Sequence, residues 1–394
     1  MKPPRTGMAT RLVQAGRRTE WTGPIVSVPP MRASTVIFRS LADYERACRD
    51  FHTGPVYATH GLPTQWGLEE ALTALEPGAA GTRLFPSGLA AVAAAILSVA
   101  GAGDHVLLPD NCYGPTRRLA KTLFQRMGIE ATFYDPMGGA GVAAAFRDNT
   151  RALHIEAPGS GTFEVPDTRA LVAAAKARGA WVTADNTWGT PLRFPALTLG
   201  ADLSAMALTK YVGGHSDVLG GSVTAAPSAW ERLRDTATDL GQCLSPDDAW
   251  LCTRGLRTMH LRLAAHEAAA LDVARWLSAH PLIARVLHPA LPSCPGHEHW
   301  QRDFTGSTSL FSFVLKRPGR PRLAAMLEGM RVFQIGFSFG GFESLIIPLD
   351  PAKGRTVTRW DGPGPTIRLH VGLEDVADLI ADLEAGLARY EAAV

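Results

Sequence analysis

A carboxylate and an amine each follow an apolar run that reads as a strand. Trp181 to Ala184 leads into Asp185-Asn186-Thr187-Trp188, and Ser204 to Leu208 leads into Thr209-Lys210-Tyr211 and then Gly213-Gly214-His215-Ser216-Asp217. In an open α/β sheet, ligands sit outside the carboxyl ends of the strands, so Asp185 and Lys210 would leave the sheet at one edge. Either residue alone reads as a solvated loop charge. Together they suit Schiff-base chemistry. A desolvated lysine gives up its proton more easily and becomes a nucleophile, and a nearby carboxylate can hold a protonated pyridine nitrogen. Phe85-Pro86-Ser87-Gly88-Leu89 opens an apolar helical stretch from Leu89 to Val99, whose first N–H groups would form an anion site. Tyr113 follows the strand Val106 to Leu108 and is placed to stack on an aromatic ligand. In Thr366-Ile367-Arg368-Leu369-His370-Val371 the residues alternate, putting Thr366, Arg368 and His370 on one face. There Arg368 can clamp a carboxylate through two hydrogen bonds, or form a surface ion pair.

These residues need elements to hold them. From about residue 61 to 250, short apolar runs alternate with helical stretches. Val106 to Leu108, Ala131 to Tyr134, Ala152 to Ile155, Trp181 to Ala184, Ser204 to Leu208 and Ser222 to Ala225 are apolar on both faces, as strands of a covered, mostly parallel sheet are. Pro166 and Asp167 open a helix over Ala170 to Ala175, and Gly179 closes it. The pattern predicts an α/β unit with right-handed crossovers. Beyond 251 it becomes α+β and ends in a helix striped by Val376, Leu379, Ile380, Leu383, Leu387 and Tyr390. Glu374 and Asp375 are expected in that helix's first turn. Residues 1–60 are rich in Pro, Thr and Arg and have no sustained period. Such an arm must pack on something else, such as another subunit. The expected division is therefore 1–60, 61–250 and 251–394.

The 394 residues suit two or three such units at roughly 150 residues each. With 46% hydrophobic and 19% charged residues, the chain can build a large core. Its 39 basic against 37 acidic residues give +2, no reason to expect nucleic acid or an anionic membrane as partner. Cys48, Cys112, Cys243, Cys252 and Cys294 are odd in number and form no CxxC, which argues against a disulfide framework or a structural zinc site. Cys294-Pro295-Gly296-His297-Glu298-His299 supplies three metal-type ligands without an evident fourth, and reads as a turn. No apolar segment follows the basic start, so the expectation is a cytoplasmic protein. The run Leu89 to Ala102 is broken by Ser98 and Gly101 and is shorter than the ~20 residues of a membrane span.

Taken together, these segments resemble the pyridoxal-phosphate enzymes of cysteine and methionine metabolism, of fold type I, from about Thr10 to Tyr390. The stretches that carry the resemblance are Ala184 to Trp188 with Thr209 to Asp217, and Gly340-Gly341-Phe342-Glu343-Ser344-Leu345. Tyr113-Gly114-Pro115-Thr116 and Ser338-Phe339-Gly340-Gly341 are more similar to the branch that cleaves cystathionine by β-elimination than to the γ-synthases and γ-lyases. The resemblance implies an α/β, fold type I transferase-like chain with a mostly parallel sheet and a smaller α+β C-terminal unit. It also implies roles. Lys210 would carry pyridoxal 5'-phosphate in a Schiff base and Asp185 would pair with its ring nitrogen. Tyr113 would stack on the ring. Ser87, Gly88, Leu89 and Thr209 would hold the phosphate. Arg368 would bind the substrate α-carboxylate, with Ser338, Phe339 and Ser160 beside it. Tyr57 would reach the cofactor of a neighbouring subunit in a homotetramer. The substrate would be a small sulfur amino acid, and no metal is implied.

Two positions depart from the family pattern. The arm usually carries Tyr-x-Arg, whereas here Tyr57-Ala58-Thr59-His60 puts a hydroxyl where a guanidinium is expected. Phe339 stands where a tryptophan is usual. Both departures touch the cofactor or the pocket, so γ-elimination, γ-replacement and cleavage of other cysteine S-conjugates stay open. A non-catalytic cofactor binder is the more distant alternative.

Overall fold

The computed structural model describes residues 6–52 and 54–393. Residues 1–5, 53 and 394, which belong to the expected arm and C-terminal unit, lie outside the described residues.

Seven strands form the larger sheet: β1 (Gly81–Phe85), β2 (His105–Pro109), β3 (Glu130–Tyr134), β4 (Thr150–Glu156), β5 (Trp181–Asp185), β6 (Leu203–Ala207) and β7 (Gly221–Ala225). Their order is β1-β7-β6-β5-β4-β2-β3. The pairs β2–β3, β2–β4, β4–β5 and β5–β6 are parallel, and β7 runs antiparallel to both of its neighbours, β1 and β6. The six expected strands are present. The edge strand β1 was not foreseen, because Gly81-Thr82-Arg83 lacks an apolar run and draws its order from pairing with β7.

A second sheet contains β8 (Ile283–Leu287), β9 (Leu310–Leu315), β10 (Gln334–Ile335), β11 (Leu345–Leu349) and β12 (Thr366–His370), in the order β10-β11-β12-β9-β8. All its pairs but β10–β11 are antiparallel. The chain is therefore α/β with a mostly parallel large sheet and a second, C-terminal sheet, as the sequence implied.

Six helices matter here: α1 (Met8–Gln14), α2 (Pro63–Leu75), α3 (Gly88–Leu97), α4 (Thr168–Ala177), α5 (Pro246–Ala279) and α6 (Val376–Ala392). The signals around α4 hold: Asp167 caps it by accepting from the Ala170 N–H at 3.2 Å, and Gly179 turns away at φ +67°. The 34-residue helix α5 runs through position 250 without a break, so continuous helix rather than a linker joins the two sheets. The last helix begins at Val376, later than expected, and Glu374 and Asp375 precede it. Glu374 instead accepts from the N–H and hydroxyl of Ser344 at 2.8 and 2.7 Å, and these bonds outweigh a weak dipole contact.

Buried side chains cover both faces of the large sheet. Leu107, Leu153 and Val182 lie on strands without exposure, as do Phe85 and Val223. Each such side chain contributes roughly 1.5–3 kcal/mol of hydrophobic stabilisation. Phe311, Phe313, Leu383 and Leu387 form the core of the second sheet. The arm contributes little to either. Leu12 on α1 packs against Leu68 and Leu72 of α2, but Ile37 is 89% and Leu41 71% exposed.

Candidate active site

Parallel strands end together, and that alignment builds the site. Glu156 closes β4 directly opposite Asp185, which closes β5. Lys210 follows β6 by three residues, in a turn where Thr209 Oγ1 exchanges hydrogen bonds with the backbone of Gly220. A cavity of about 250 Å³ opens at these strand ends, lined among others by Ser87, Tyr113, Asp185, Lys210 and Arg368.

Lys210 is held from the C-terminal side. Its Nζ donates to Ser338 Oγ at 2.7 Å and lies 5.0 Å from the centre of the Phe339 ring. Burial, then the positive charge of Arg368, pushes the amine down to about 8 against the opposing pull of Asp185. Ser338 also meets Arg368, whose guanidinium donates to the Ser338 carbonyl at 3.1 Å. Arg368 itself is pushed down to about 10 by burial. Ser338 adopts φ +100°, a conformation that costs a non-glycine residue about 1–3 kcal/mol and is kept only where surroundings enforce it. One serine thus joins the amine to the guanidinium.

Asp185 is raised by burial, while the hydroxyl and N–H of Thr187 and the charge of Lys210 oppose that shift. Its Oδ1 accepts from the Thr187 N–H at 3.0 Å. Glu156 is raised well above the ordinary range, by burial first and by Asp185 second. Two carboxylates in register at the strand ends cannot both ionise easily, which favours the protonated form of Glu156. It accepts from the Tyr113 backbone N–H at 2.7 Å and so fixes where that aromatic side chain leaves the strand end. The Tyr113 phenol is raised by burial, with Asp185 and Glu156 adding to the shift.

Helix α3 starts at the cavity. Ser87 caps it, accepting from the Ala90 N–H at 3.2 Å. A Cβ at Gly88 would come within 2.5 Å of the Ala207 side chain, so only glycine lets the helix start approach β6 this closely. Ser87, Gly88 and Leu89 at this first turn line a cavity that also contains the part-buried amine, which suits an anion site in keeping with the sequence reading.

Of the residues expected in the site, Ser87, Gly88, Leu89, Tyr113, Ser160, Asp185, Thr209, Lys210, Phe339 and Arg368 all line this cavity. Ser338 joins through its bonds to Lys210 and Arg368. Tyr57 does not line it: it is 48% exposed and forms a bridge with Thr35. Cys294 and His297 are not brought together as ligands; Cys294 Sγ donates to the Phe163 carbonyl at 3.3 Å and His297 contacts the Pro289 carbonyl. Among the described residues no three His, Cys, Asp or Glu side chains are grouped to hold a metal, and no helix is long and apolar enough to cross a membrane. The sequence reading missed Glu156. The signal that marked Asp185, a carboxylate ending an apolar strand, was present there too.

Known proteins are similar to this chain over nearly its whole length. The family described as Cys/Met metabolism PLP-dependent enzyme matches residues 9–388. Cystathionine beta-lyase MetC of Escherichia coli is 43% identical, covering 96% of this chain and 98% of its own. An L-alanine/L-glutamate racemase of Wolbachia pipientis is 38% identical, covering 96% of each chain. The crystal structure of a cystathionine gamma synthase from Xanthomonas oryzae in complex with cystathionine superposes with a TM-score of 0.89 at 32% identity, covering 98% of this chain and 99% of the other. The match takes in both sheets and every strand end that lines the cavity, and the chain belongs to the Cys/Met metabolism PLP-dependent enzymes.

Proposed function

We propose that the protein is a pyridoxal-phosphate-dependent carbon–sulfur lyase that cleaves cystathionine by β-elimination, giving homocysteine, pyruvate and ammonia. The observation that carries the reading is the bridge through Ser338, which sets an amine of lowered proton affinity beside a half-buried guanidinium. That pairing suits an α-amino acid, whose amine and carboxylate must be held together. The named β-lyase at 43% identity supports β-cleavage over the racemisation named for a relative at 38%.

The donor set fits the cofactor. Lys210 offers an amine for its aldehyde, Asp185 a half-buried carboxylate for its ring nitrogen, and the start of α3 with Ser87, Gly88, Leu89 and Thr209 an anion site for its phosphate. Tyr113 would cover the ring. When bound, pyridoxal phosphate supplies an electron sink for charge developing at the substrate α-carbon. Arg368 would grip the α-carboxylate with two N–H groups. Ser160 and Phe339 would bound the rest of the substrate. Lys210 Nζ, with its lowered proton affinity, would take the α-proton as general base. The Tyr113 phenol, kept protonated by its raised proton affinity, donates to the departing thiolate. The Cβ–S bond breaks with both electrons on sulfur, and the released enamine hydrolyses to pyruvate and ammonia.

The division into an arm of residues 1–60, a cofactor-binding unit of 61–250 and a C-terminal unit of 251–394 belongs to this proposal. So does a cytoplasmic homotetramer working in methionine biosynthesis by trans-sulfuration. The exposed apolar side chains of the arm support association, since Ile25, Val26, Ile37 and Leu41 are each more than half exposed. In that assembly Tyr57 would reach a neighbour's cofactor phosphate, with Thr59 in place of the usual cation. A hydroxyl gives one neutral hydrogen bond where a guanidinium gives a charged fork. Thr59→Arg is therefore expected to tighten pyridoxal-phosphate binding about tenfold, measured by titrating the cofactor-free protein. An unchanged affinity would remove Thr59 from the account.

The test of the function is one incubation of purified protein with pyridoxal phosphate and L-cystathionine. Pyruvate with homocysteine is expected. 2-Oxobutyrate instead would move the reaction to γ-cleavage. An intact visible cofactor band without either oxo acid would point to another cysteine S-conjugate or to racemisation.

A further inference from the structure

His370 follows Arg368 by two residues on β12, so both side chains leave the same face of that strand. Its ring is 1% exposed and sits between two parts of the site. Nδ1 lies 2.7 Å from Ser309 Oγ, which lies 2.7 Å from the hydroxyl of the buried Tyr211. Nε2 lies 3.1 Å from the Gly341 carbonyl oxygen. The Gly340 nitrogen is 3.2 Å from Nε2 and 3.4 Å from Nδ1. Near-equal distances to two nitrogens whose lone pairs diverge place that N–H over the ring face, not in line with either lone pair.

These contacts permit one proton arrangement. A carbonyl only accepts, so Nε2 carries the proton and donates to Gly341. Nδ1 then offers a lone pair, to which Ser309 donates. Ser309 in turn accepts from Tyr211. Both ends of the chain are neutral. Burial, reinforced by the nearby cations, pushes His370 down to about 3, and burial pushes the Tyr211 phenol up to about 12.

We infer that His370, acting through Ser309 and Tyr211, is a positioning residue that pins the Ser338–Gly341 turn against Lys210, so that one buried relay orders both the amine and the guanidinium that receive the substrate. The inference rests on the lyase reading of the same site. Its mechanics are local. Tyr211 adjoins Lys210 in the chain, and the Gly341 carbonyl lies three residues from Ser338. Ser338 holds its costly φ +100° while its hydroxyl accepts from Lys210 and its carbonyl accepts from Arg368. Gly340, at φ +85°, has no room for a Cβ, which would meet the Tyr211 nitrogen at 2.7 Å. The turn is thus closely apposed to the lysine segment, and the relay is the side-chain chain that ties the two.

Ser309→Ala, Tyr211→Phe and the double variant test it. Each single change is expected to lower kcat/KM for carbon–sulfur cleavage roughly tenfold, the effect of one broken buried hydrogen bond. Because the links act in series, the double variant should lose no more than the weaker single variant. Hydrogen exchange read by mass spectrometry should rise over residues 336–345, with and without pyridoxal phosphate, while peptides from β8 and α6 keep the wild-type rate. Multiplying losses in the double variant, or wild-type exchange over 336–345, would overturn the relay. If the wild-type protein cleaves no carbon–sulfur bond but exchange follows this pattern, the lyase reading fails and the relay stands for the site's actual reaction.

Discussion

Lys210→Ala is expected to abolish pyruvate formation from cystathionine, lowering kcat by at least about 10³-fold, because one change removes both the covalent anchor and the general base. The visible band of the bound cofactor should vanish with it. The geometry makes the residue hard to replace. Its amine is part-buried, aimed at Ser338 Oγ at 2.7 Å and flanked by Arg368, and these surroundings push it down to about 8. The sign follows directly. Below about 8 the amine is protonated and a poor nucleophile; above it the neutral form predominates. Uptake of pyridoxal phosphate by the cofactor-free protein should therefore speed up as pH rises through 8 and level off beyond. Lys210→Arg keeps the positive charge but does not titrate in this range, so it should show no such rise. Pyruvate production retained by Lys210→Ala would refute the assignment.

Asp110→Ala is expected to cost about 3–5 kcal/mol of stability at pH 7, the range for breaking a buried ion pair by removing one partner. Asp110 follows β2, three residues before Tyr113, and its side chain is fully buried. It accepts from the N–H groups of Thr356, Val357 and Thr358 at 2.7–3.0 Å, from the hydroxyls of both threonines, and from Arg117 at 2.5 Å. Residues 355–358 lie between β11 and β12, so this carboxylate ties the strand end that bears Tyr113 to the chain leading to Arg368. Arg355 adds a second tie, pairing with Glu164 at 2.8 Å. Burial alone would raise the Asp110 carboxyl. The amides of Thr358, Thr356 and Val357, with Arg117, outweigh it and hold the group well below the usual range. A depressed carboxyl stabilises the fold fully above its unfolded value near ~3.9, and that contribution fades as pH falls toward the folded value. Wild type and variant should thus differ most at neutral pH and converge in strong acid. Thermal unfolding followed from pH 7 to pH 2 checks this, and coincident curves at pH 7 would exclude the clamp.

Much of the site was legible because its residues are ordered by local rules. Apolar runs of three to five residues read as strands, parallel strands end at one edge, and whatever follows them meets there. That was enough to place Asp185, Lys210 and Tyr113 at strand ends, whereas Ser87 entered as a helix start and through the resemblance. It should have sufficed for Glu156, whose partner Asp185 lies one strand over. The edge strand β1 was not legible, because its order comes from β7, about 140 residues away, rather than from its own composition.

The sequence by itself determined the kinds of group available, the period of each element and, through motif resemblance, the cofactor. Only the tertiary structure decided how those groups behave. The lowered proton affinity of Lys210 comes from burial and from Arg368, more than 150 residues away. The polarity of the Tyr211–Ser309–His370 chain depends on a carbonyl at Gly341. The depth of the Asp110 clamp depends on three amides of a distant loop. Proton affinities and hydrogen-bond directions follow from desolvation and from partners in space, and neither is a property of residue type or spacing along the chain.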